Sequence, residues 1–196
     1  MTMRRKQDRV TGKSELRSRM KALRAAAAPV DPAAMIQLFV QEFAPAARVV
    51  AGYAAMNHEL DPAPLLAAAH NAGARLCLPA IGAPDAPLLF LAYEPGDGLV
   101  EGPFKTRQPA PDQPALKPDI VLVPLLAADR SGGRLGYGGG FYDRTLERHA
   151  CISVGLAYDG QLLDSVPREA HDQALDYVLT PSRLIRCEPH AHTVSG

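Results

Sequence analysis

The chain has 196 residues and carries 21 acidic residues against 21 lysines and arginines, so its formal net charge is zero. A single domain of this size buries about 70% of its unfolded surface and needs no disulfide or structural metal. The neutral charge argues against a nucleic-acid partner. The longest apolar run, residues 120–128, is too short to span a bilayer, which argues against a membrane partner.

The cysteines and the N-terminal composition bear on location. Cys77, Cys151 and Cys187 have neither zinc-binding nor redox spacing, and they are best interpreted as small buried hydrophobic residues in a reducing compartment. No apolar segment follows the basic N-terminal residues, so no secretory signal is predicted. We therefore expect a cytoplasmic protein. No sequence feature reports the oligomeric state, and a monomer is taken as the expectation.

Helix signals begin after a polar segment, residues 1–11, that we expect to be disordered. A first helix is predicted from residue 12 to residue 28, with an apolar stripe formed by Leu16, Met20 and Leu23. Two Asp-Pro pairs are typical of helix starts. They predict helices over residues 31–43 and 61–71, the second of which ends at Gly73.

Strand signals alternate with the helices. Apolar and β-branched runs predict strands over residues 47–54, 75–79, 88–93, 120–126, 151–157 and 175–180. A strand, a helix and a second strand in succession favour parallel crossover units, and hence the α/β class. Residues 94–117 and 124–133 are predicted to be loops, and residues 188–196 a disordered tail.

A glycine cluster, Gly136, Gly138, Gly139 and Gly140, lies between the strand at 120–126 and a helix predicted to run to about residue 149. Glycine in ordered structure costs roughly 0.5–1 kcal/mol per residue, so this stretch must require bare backbone. Backbone N–H groups that approach an anion at a helix N-terminus would explain it. The flanking Arg134 and Arg144 could add charge-assisted hydrogen bonds. A flexible surface loop is the alternative, although such loops rarely interleave glycine with aromatic residues.

The cluster is not one of the common phosphate motifs. A P-loop ends in Gly-Lys-Ser/Thr, and no lysine follows these glycines. The dinucleotide fingerprint requires a third glycine where Phe141 stands. The residues alone therefore predict an anion site, most simply for a nucleotide phosphate.

Three segments, Val123-Pro124, Asp129-Arg130 and the continuous run from Arg134 to Arg144, resemble the signature of the 5-formyltetrahydrofolate cyclo-ligases, also called 5,10-methenyltetrahydrofolate synthetases. The resemblance extends more loosely to an N-terminal Lys-x-x-x-Arg, to an early strand that ends near a glutamate, and to Asp176 in Leu-Asp-Tyr-Val-Leu-Thr. It implies a single domain over residues 12–187, with a three-layer α/β/α architecture and a mostly parallel sheet.

The resemblance also implies a reaction of one-carbon metabolism. The enzyme would use Mg²⁺ and ATP to cyclise 5-formyltetrahydrofolate to 5,10-methenyltetrahydrofolate, with release of ADP and phosphate. The formyl oxygen would be phosphorylated first, and N10 of the folate would then attack the formyl carbon. Its partners would be 5-formyltetrahydrofolate and Mg-ATP.

The family's functional residues map onto this sequence as follows. Arg134 and Asp143 are the implied catalytic residues, and Asp143 and Asp176 the implied metal ligands. The implied substrate contacts are Ala54, Glu59, Phe104 and Tyr142. The implied ATP-binding residues are Lys13, Arg17, Arg134, Gly136, Tyr137, Gly138, Gly139, Gly140, Phe141 and Tyr142.

Each assignment has a plainer alternative. Lys13 and Arg17 lie four residues apart and could form an ordinary solvated basic face. Glu59 could be a surface carboxylate, and His58 is expected to be a surface histidine. Phe104 could be a hydrophobic anchor for its loop. Asp143 could only offset the helix dipole. Tyr142 could be a residue of the hydrophobic core. Asp176 could be an exposed residue at the end of a strand.

Three other functions remain open at this point. A nucleotide-binding paralogue could act on another substrate, because Lys105-Thr106 departs from the family pattern after the aromatic residue. A non-enzymatic protein could bind the folate without hydrolysing ATP. A relative of the sugar-phosphate isomerases would bind a phosphosugar and ignore ATP.

Overall fold

The computed structural model describes residues 12–188. The predictions of disorder for residues 1–11 and for the tail beyond residue 188 lie outside the described residues. Four α-helices occur within the described part: α1 Lys13–Ala25, α2 Ala33–Phe43, α3 Ala63–Asn71 and α4 Phe141–Arg148. The strands there are β1 Val49–Ala51, β2 Arg75–Ala80, β3 Leu89–Tyr93, β4 Val100–Glu101, β5 Arg107–Gln108, β6 Ile120–Pro124, β7 Ala127–Ala128, β8 Arg134–Leu135, β9 Ile152–Leu156, β10 Tyr177–Leu179 and β11 Leu184–Arg186.

Seven strands form the central sheet in the order β11-β10-β9-β6-β1-β2-β3. The five central strands pair in parallel, and the edge strands β3 and β11 pair antiparallel to their neighbours. The predicted α/β class with a mostly parallel sheet is confirmed. Strand β3 runs antiparallel because no helix lies between it and β2 to return the chain to the other end of the sheet.

Helices cover both faces of the sheet. Phe39 of α2 and Leu65 of α3 pack with Leu122 of β6 on one face. Leu146 of α4 packs with the cluster around Val123 on the other face. Alternate residues of β6 therefore enter opposite cores, which confirms the three-layer α/β/α architecture.

Helix α1 packs on a small hairpin formed by β7 and β8, where Leu16 and Met20 contact the apolar residues of the hairpin. The predicted stripe is correct for these two residues and wrong for Leu23, which is 37% exposed. Four residues after Met20, the buried face continues at Arg24, which is only 2% exposed. The guanidinium can enter the interior because backbone oxygens of neighbouring loops accept hydrogen bonds from it.

Both Asp-Pro helix starts form as predicted. Asp31 Oδ1 accepts the N–H of Ala33 at 2.9 Å, and Asp61 Oδ1 accepts the N–H of Ala63 at 3.0 Å. Gly73, after the end of α3, has a φ of +94°, the left-handed conformation that glycine adopts readily. The α2 and α3 ends agree with the sequence pattern to within two residues.

The predicted loops contain more structure than expected. Residues 94–117 include the β4–β5 hairpin, and residues 124–133 include β7 and the turn before β8. Asp129 holds that turn, since its carboxylate accepts N–H groups of Ser131, Gly133 and Val166. The predicted strand 47–54 is shorter, β1 ending at Ala51, and β11 was not predicted. In the described part of the chain, no helix is long and apolar enough to cross a membrane.

Candidate active site

The candidate site lies where the chain leaves the carboxyl ends of β1 and β6. The loop after β1 carries Ala54 and Glu59, and β6 leads through the β7–β8 hairpin into residues 136–140, here called the glycine loop, and then α4. Parallel sheets bind ligands at this edge, where consecutive loops diverge. The structure thus brings the two predicted binding segments to the same edge of the sheet.

The glycine loop is exposed and has a conformation that requires glycine. Gly138 has a φ of +99° and Gly140 a φ of +67°, and Gly140 is the N-cap of α4. Within residues 12–188, the backbone N–H groups of residues 136–143 have no hydrogen-bond acceptor in the protein. Free amides at a helix N-terminus form an anion-binding surface.

Two arginines contact this region. Arg17 Nε donates to the carbonyl oxygen of Gly136 at 2.9 Å. Arg134 donates through Nη2 to Asp143 Oδ1 and through Nη1 to the carbonyl oxygen of Gln173, both at 2.6 Å. Burial lowers the pKa of Arg134, and the charge of Asp143 opposes that shift. The two cations therefore contact the first and last residues of the segment that carries the free amides.

The other predicted cations have partners of their own. The ammonium of Lys13 lies 2.8 Å from Glu169 Oε1 and 2.9 Å from Asp172 Oδ2. Burial alone would lower the pKa of Lys13, but these carboxylates outweigh it and raise the pKa. Arg144 donates to the carbonyl oxygens of Pro84 and Gly139 at 3.0 Å, so it stabilises loops. The ATP contact expected of Lys13 stays a prediction.

The two predicted metal ligands have different surroundings. Asp143 Oδ1 accepts hydrogen bonds from Arg134 and from Gln173 N, while its Oδ2 has no partner among residues 12–188. Asp176 Oδ2 accepts the N–H of Ser153 at 2.8 Å and its hydroxyl at 2.7 Å. Its Oδ1 has no hydrogen bond among residues 12–188. Asp176 is exposed and directly precedes β10, at the amino ends of the parallel strands β9 and β10, whereas the candidate site lies at the carboxyl ends of β1 and β6. Its metal role stays a prediction that this position does not support. Across the described ranges, no group of three or more His, Cys, Asp or Glu side chains could hold a metal ion.

Glu59 is buried at 9% exposure, so the interpretation as a surface carboxylate is wrong. Its Oε2 accepts the N–H of Met56 at 3.0 Å, and its Oε1 lies 3.7 Å from Arg24 Nη1. Burial raises the pKa of Glu59, whereas the Met56 N–H, the charge of Arg24 and the hydroxyl of Tyr137 oppose the shift. His58 is exposed, as predicted.

Tyr142 packs against the hydrophobic core on the α4 side of the sheet, and its phenol has a raised pKa. Burial raises the pKa of its phenol strongly, the charge of Glu59 raises it further, and the charge of Arg134 lowers it. The predicted substrate carboxylate and the predicted catalytic arginine therefore act on the same hydroxyl group. The phenol stays protonated at neutral pH and can donate a hydrogen bond.

Phe104 is 70% exposed and has a φ of +59°. Its ring centroid lies 6.1 Å from that of Phe141 at an interplanar angle of 61°. An anchor that holds its loop by burial would be covered, so this exposure favours a ligand contact over the anchoring role. Ala54 is half-buried in the loop that follows β1.

Arg24 was missed by the sequence analysis. Its guanidinium donates to the carbonyl oxygens of Leu125 and Asn57 and to the hydroxyl of Tyr137. The signal was available, because residue 24 lies four positions after Met20 on the buried stripe of a helix. A charged residue at such a position requires buried partners.

A sequence model of the 5-formyltetrahydrofolate cyclo-ligase family matches residues 9–181. The chain belongs to this family. It is 42% identical over 149 residues to a 5-formyltetrahydrofolate cyclo-ligase of Mycolicibacterium smegmatis, covering 70% of this chain and 76% of the relative. It is 40% identical over 146 residues to the enzyme of that name from Escherichia coli K12, covering 70% and 80%.

One solved structure agrees with the family assignment, and a second shares the fold. The NMR structure of Aquifex aeolicus 5,10-methenyltetrahydrofolate synthetase superposes with a TM-score of 0.72 at 27% identity, over 92% of this chain and 98% of that one. A Mycoplasma pneumoniae 5,10-methenyltetrahydrofolate synthetase superposes with a TM-score of 0.63 at 21% identity, over 86% and 98%. The second likeness supports the fold alone.

Proposed function

We propose that the protein catalyses the ATP-dependent cyclisation of 5-formyltetrahydrofolate to 5,10-methenyltetrahydrofolate, with release of ADP and phosphate. The observation that carries the proposal is the glycine loop, whose amides have no acceptor among residues 12–188 and which Arg24 joins to the buried Glu59. Relatives that share 40–42% identity carry the cyclo-ligase name.

The glycine loop binds the terminal phosphates of ATP in this proposal. Its N–H groups donate to phosphate oxygens, and Arg17 and Arg134 neutralise their charge. Phosphoryl transfer depends on such positioning and charge stabilisation more than on a protein nucleophile. Tyr137, Phe141 and Tyr142 complete the surface around the loop, and Lys13 joins it if ATP displaces its carboxylate partners.

The folate binds on the side of Glu59. The ionised carboxylate accepts hydrogen bonds from the N–H groups at the edge of the pterin ring, while Tyr142 donates from its phenol. Phe104 presents an exposed ring for the folate to stack on. Ala54 lines the side of the site formed by the loop after β1.

The chemistry then has two steps. The formyl oxygen is a poor leaving group and must first be activated. It attacks the γ-phosphorus of ATP, and ADP departs. N10 attacks the formyl carbon and loses its proton, and the carbon–oxygen bond breaks. The former formyl oxygen leaves within the phosphate ion. Arg134, fixed by Asp143 and Gln173, lies where it can stabilise charge on the transferred group.

The residues present fit a magnesium ion. Asp143 Oδ2 is a free carboxylate oxygen in the first turn of α4, and Mg²⁺ in proteins takes one or two carboxylates together with phosphate and water oxygens. When bound, the ion neutralises phosphate charge. Asp176 is the second predicted ligand. Asp176 precedes β10 at the amino ends of β9 and β10, so its position supports this role less than that of Asp143 does.

The test is the absorbance of the methenyl product in a mixture of purified protein, 5-formyltetrahydrofolate, ATP and Mg²⁺. We expect the chromophore to form only when all components are present. Folate binding without ATP consumption would favour a binding protein. ATP consumption that ignores the folate would favour a paralogue with another substrate.

We also propose that the enzyme works as a monomer in the cytoplasm. Light scattering after size-exclusion chromatography should then give a mass near 20.9 kDa. Twice that mass would contradict the monomer.

A further inference from the structure

Arg24 lies in the last turn of α1, and its side chain is among the most deeply buried in the described structure. Nη1 donates to Leu125 O at 3.3 Å and Nη2 to Asn57 O at 2.7 Å. Nη2 also donates to the hydroxyl of Tyr137. One guanidinium thus joins α1, the loop after β1, the end of β6 and the glycine loop.

The bond to Asn57 acts on a backbone segment with unusual geometry. Asn57 and His58 have φ values of +50° and +62°, and this left-handed turn leads directly into Glu59. Residues other than glycine rarely adopt this conformation, so surrounding contacts must hold it. Arg24 supplies such a contact on the carbonyl oxygen of Asn57 and thereby helps to set the direction of the Glu59 side chain.

Arg24 is close enough for its charge to act on the Glu59 carboxylate, although the two groups form no hydrogen bond. The distance from Nη1 to Glu59 Oε1 is 3.7 Å, which is too long for a hydrogen bond, so Arg24 does not itself bind this oxygen. The hydroxyl of Tyr137, which accepts from Arg24, acts as a donor to the Glu59 carboxylate and lowers its pKa. The positive charge favours the ionised carboxylate and offsets part of the effect of burial.

Tyr137 connects the same arginine to the glycine loop. Its ring centroid lies 5.5 Å from the Arg24 guanidinium carbon and 5.4 Å from the Lys21 ammonium. Arg24 Nε is buried and has no partner among residues 12–188. A buried donor without a partner is unfavourable. The side chain is therefore held in place by the hydrogen bonds of its two Nη groups to the loops and not by Nε.

We propose that Arg24 is a positioning residue that fixes Glu59 and Tyr137 together, and so aligns the folate side of the site with the nucleotide side. The inference rests on the proposed function, because it assumes that Glu59 binds the folate. It assigns Arg24 no contact with the reacting atoms.

The first experiment compares Arg24→Lys with Arg19→Lys, a matched change at an exposed position on the same helix. Lysine keeps the charge but loses the planar fork. We expect Arg24→Lys to raise the KM for 5-formyltetrahydrofolate about tenfold, with a smaller effect on kcat and none from the control. A KM equal to wild type in a folded Arg24→Lys protein would overturn the inference.

A double-mutant cycle with Glu59→Gln separates this role from general stabilisation. If Arg24 acts through Glu59, the double variant should bind the folate within about twofold of Glu59→Gln alone. Fully additive losses would overturn the inference and leave the proposed function standing. Absence of the methenyl chromophore from the wild-type reaction would instead overturn the proposed function.

Two further variants keep the test decisive if Arg24→Lys does not fold. Arg24→Gln retains a neutral donor for Asn57 O and should show the same pattern of KM and kcat. Tyr137→Phe keeps Arg24 and removes the hydroxyl that accepts from Arg24 and donates to Glu59, and we expect about a threefold rise in the folate KM. An unchanged folate KM in Tyr137→Phe would contradict the link to the glycine loop.

Discussion

At the scale of single residues, the site depends on ionisable groups whose environment sets their charge. Glu59 is buried beside Arg24, and Asp143 is paired with Arg134 through one oxygen only. In each case, one carboxylate oxygen accepts a backbone N–H that fixes its orientation, and the second oxygen of Asp143 has no hydrogen bond within the described residues. Both side chains can therefore bind a ligand without losing the contacts that orient them.

Glu59 should give the reaction a pH dependence. Burial raises its pKa above the ordinary 4.5, so the carboxylate becomes protonated, and stops accepting hydrogen bonds, as the pH falls through the raised pKa. We expect the KM for 5-formyltetrahydrofolate to rise on that acidic side in the wild type. Glu59→Gln should show a high KM that varies less with pH.

The same shift predicts the effect on stability. The raised pKa means that the folded protein binds the proton of Glu59 more tightly than the unfolded chain does. The protonated carboxyl therefore contributes its full free energy of stabilisation below pH 4.5, and this contribution is lost as the pH rises through the pKa of the folded state. Glu59→Gln should therefore lose no stability at neutral pH in urea denaturation. A large loss there would mean that the charged form of Glu59 supports the fold.

Asp143→Asn tests the catalytic and metal role. The amide oxygen can still accept from Arg134 and Gln173, so the cost should be less than the roughly 3–5 kcal/mol expected when one partner of a buried pair is removed. We expect a folded protein with little turnover and a weaker dependence on Mg²⁺. Activity at the wild-type level would remove the metal role from Asp143.

At the scale of elements, the glycine loop and α4 act as one unit. The backbone turns through the left-handed region at Gly138 and Gly140 and then enters the helix, whose first N–H groups have no acceptor within residues 12–188. An added Cβ at Gly140 would lie 2.6 Å from Arg144 Nη1. The glycines thus serve both the backbone conformation and the close packing of Arg144.

Gly138→Ala and Gly136→Ala form a matched pair for this loop. Gly138 has a φ of +99°, whereas Gly136 has no positive φ, and no atom of the described residues lies within 4 Å of a Cβ added to it. We expect Gly138→Ala to lose about 1–2 kcal/mol of unfolding free energy and Gly136→Ala less than about 0.5 kcal/mol. Equal losses in urea denaturation would contradict the role of backbone conformation.

At the scale of the whole molecule, the long elements could be predicted because they carry their own signals. The Asp-Pro pairs started α2 and α3, and the apolar run at 120–126 contained β6. The two-residue strands β4, β5, β7 and β8 are too short to show periodicity, and they form through pairing with distant backbone. Strand β11 was missed for a similar reason, since antiparallel pairing with β10 determines it.

The candidate site divides in the same way. The contiguous segment 134–144 was visible in the sequence because its glycines and arginines are neighbours. The partners of Lys13 and Arg24 were not visible, because they lie far away in the sequence. Asp172 is 159 positions from Lys13, and Tyr137 is 113 positions from Arg24. Such pairings arise from the fold and leave no local pattern in the chain.

The central claim is that the backbone amides of the glycine loop bind the terminal phosphates of ATP. A crystal structure with Mg²⁺, a non-hydrolysable ATP analogue and 5-formyltetrahydrofolate tests it most directly. The claim predicts phosphate oxygens within hydrogen-bonding distance, about 2.7–3.2 Å, of N–H groups in residues 136–143. Phosphates bound elsewhere, with this loop free of ligand, would contradict it.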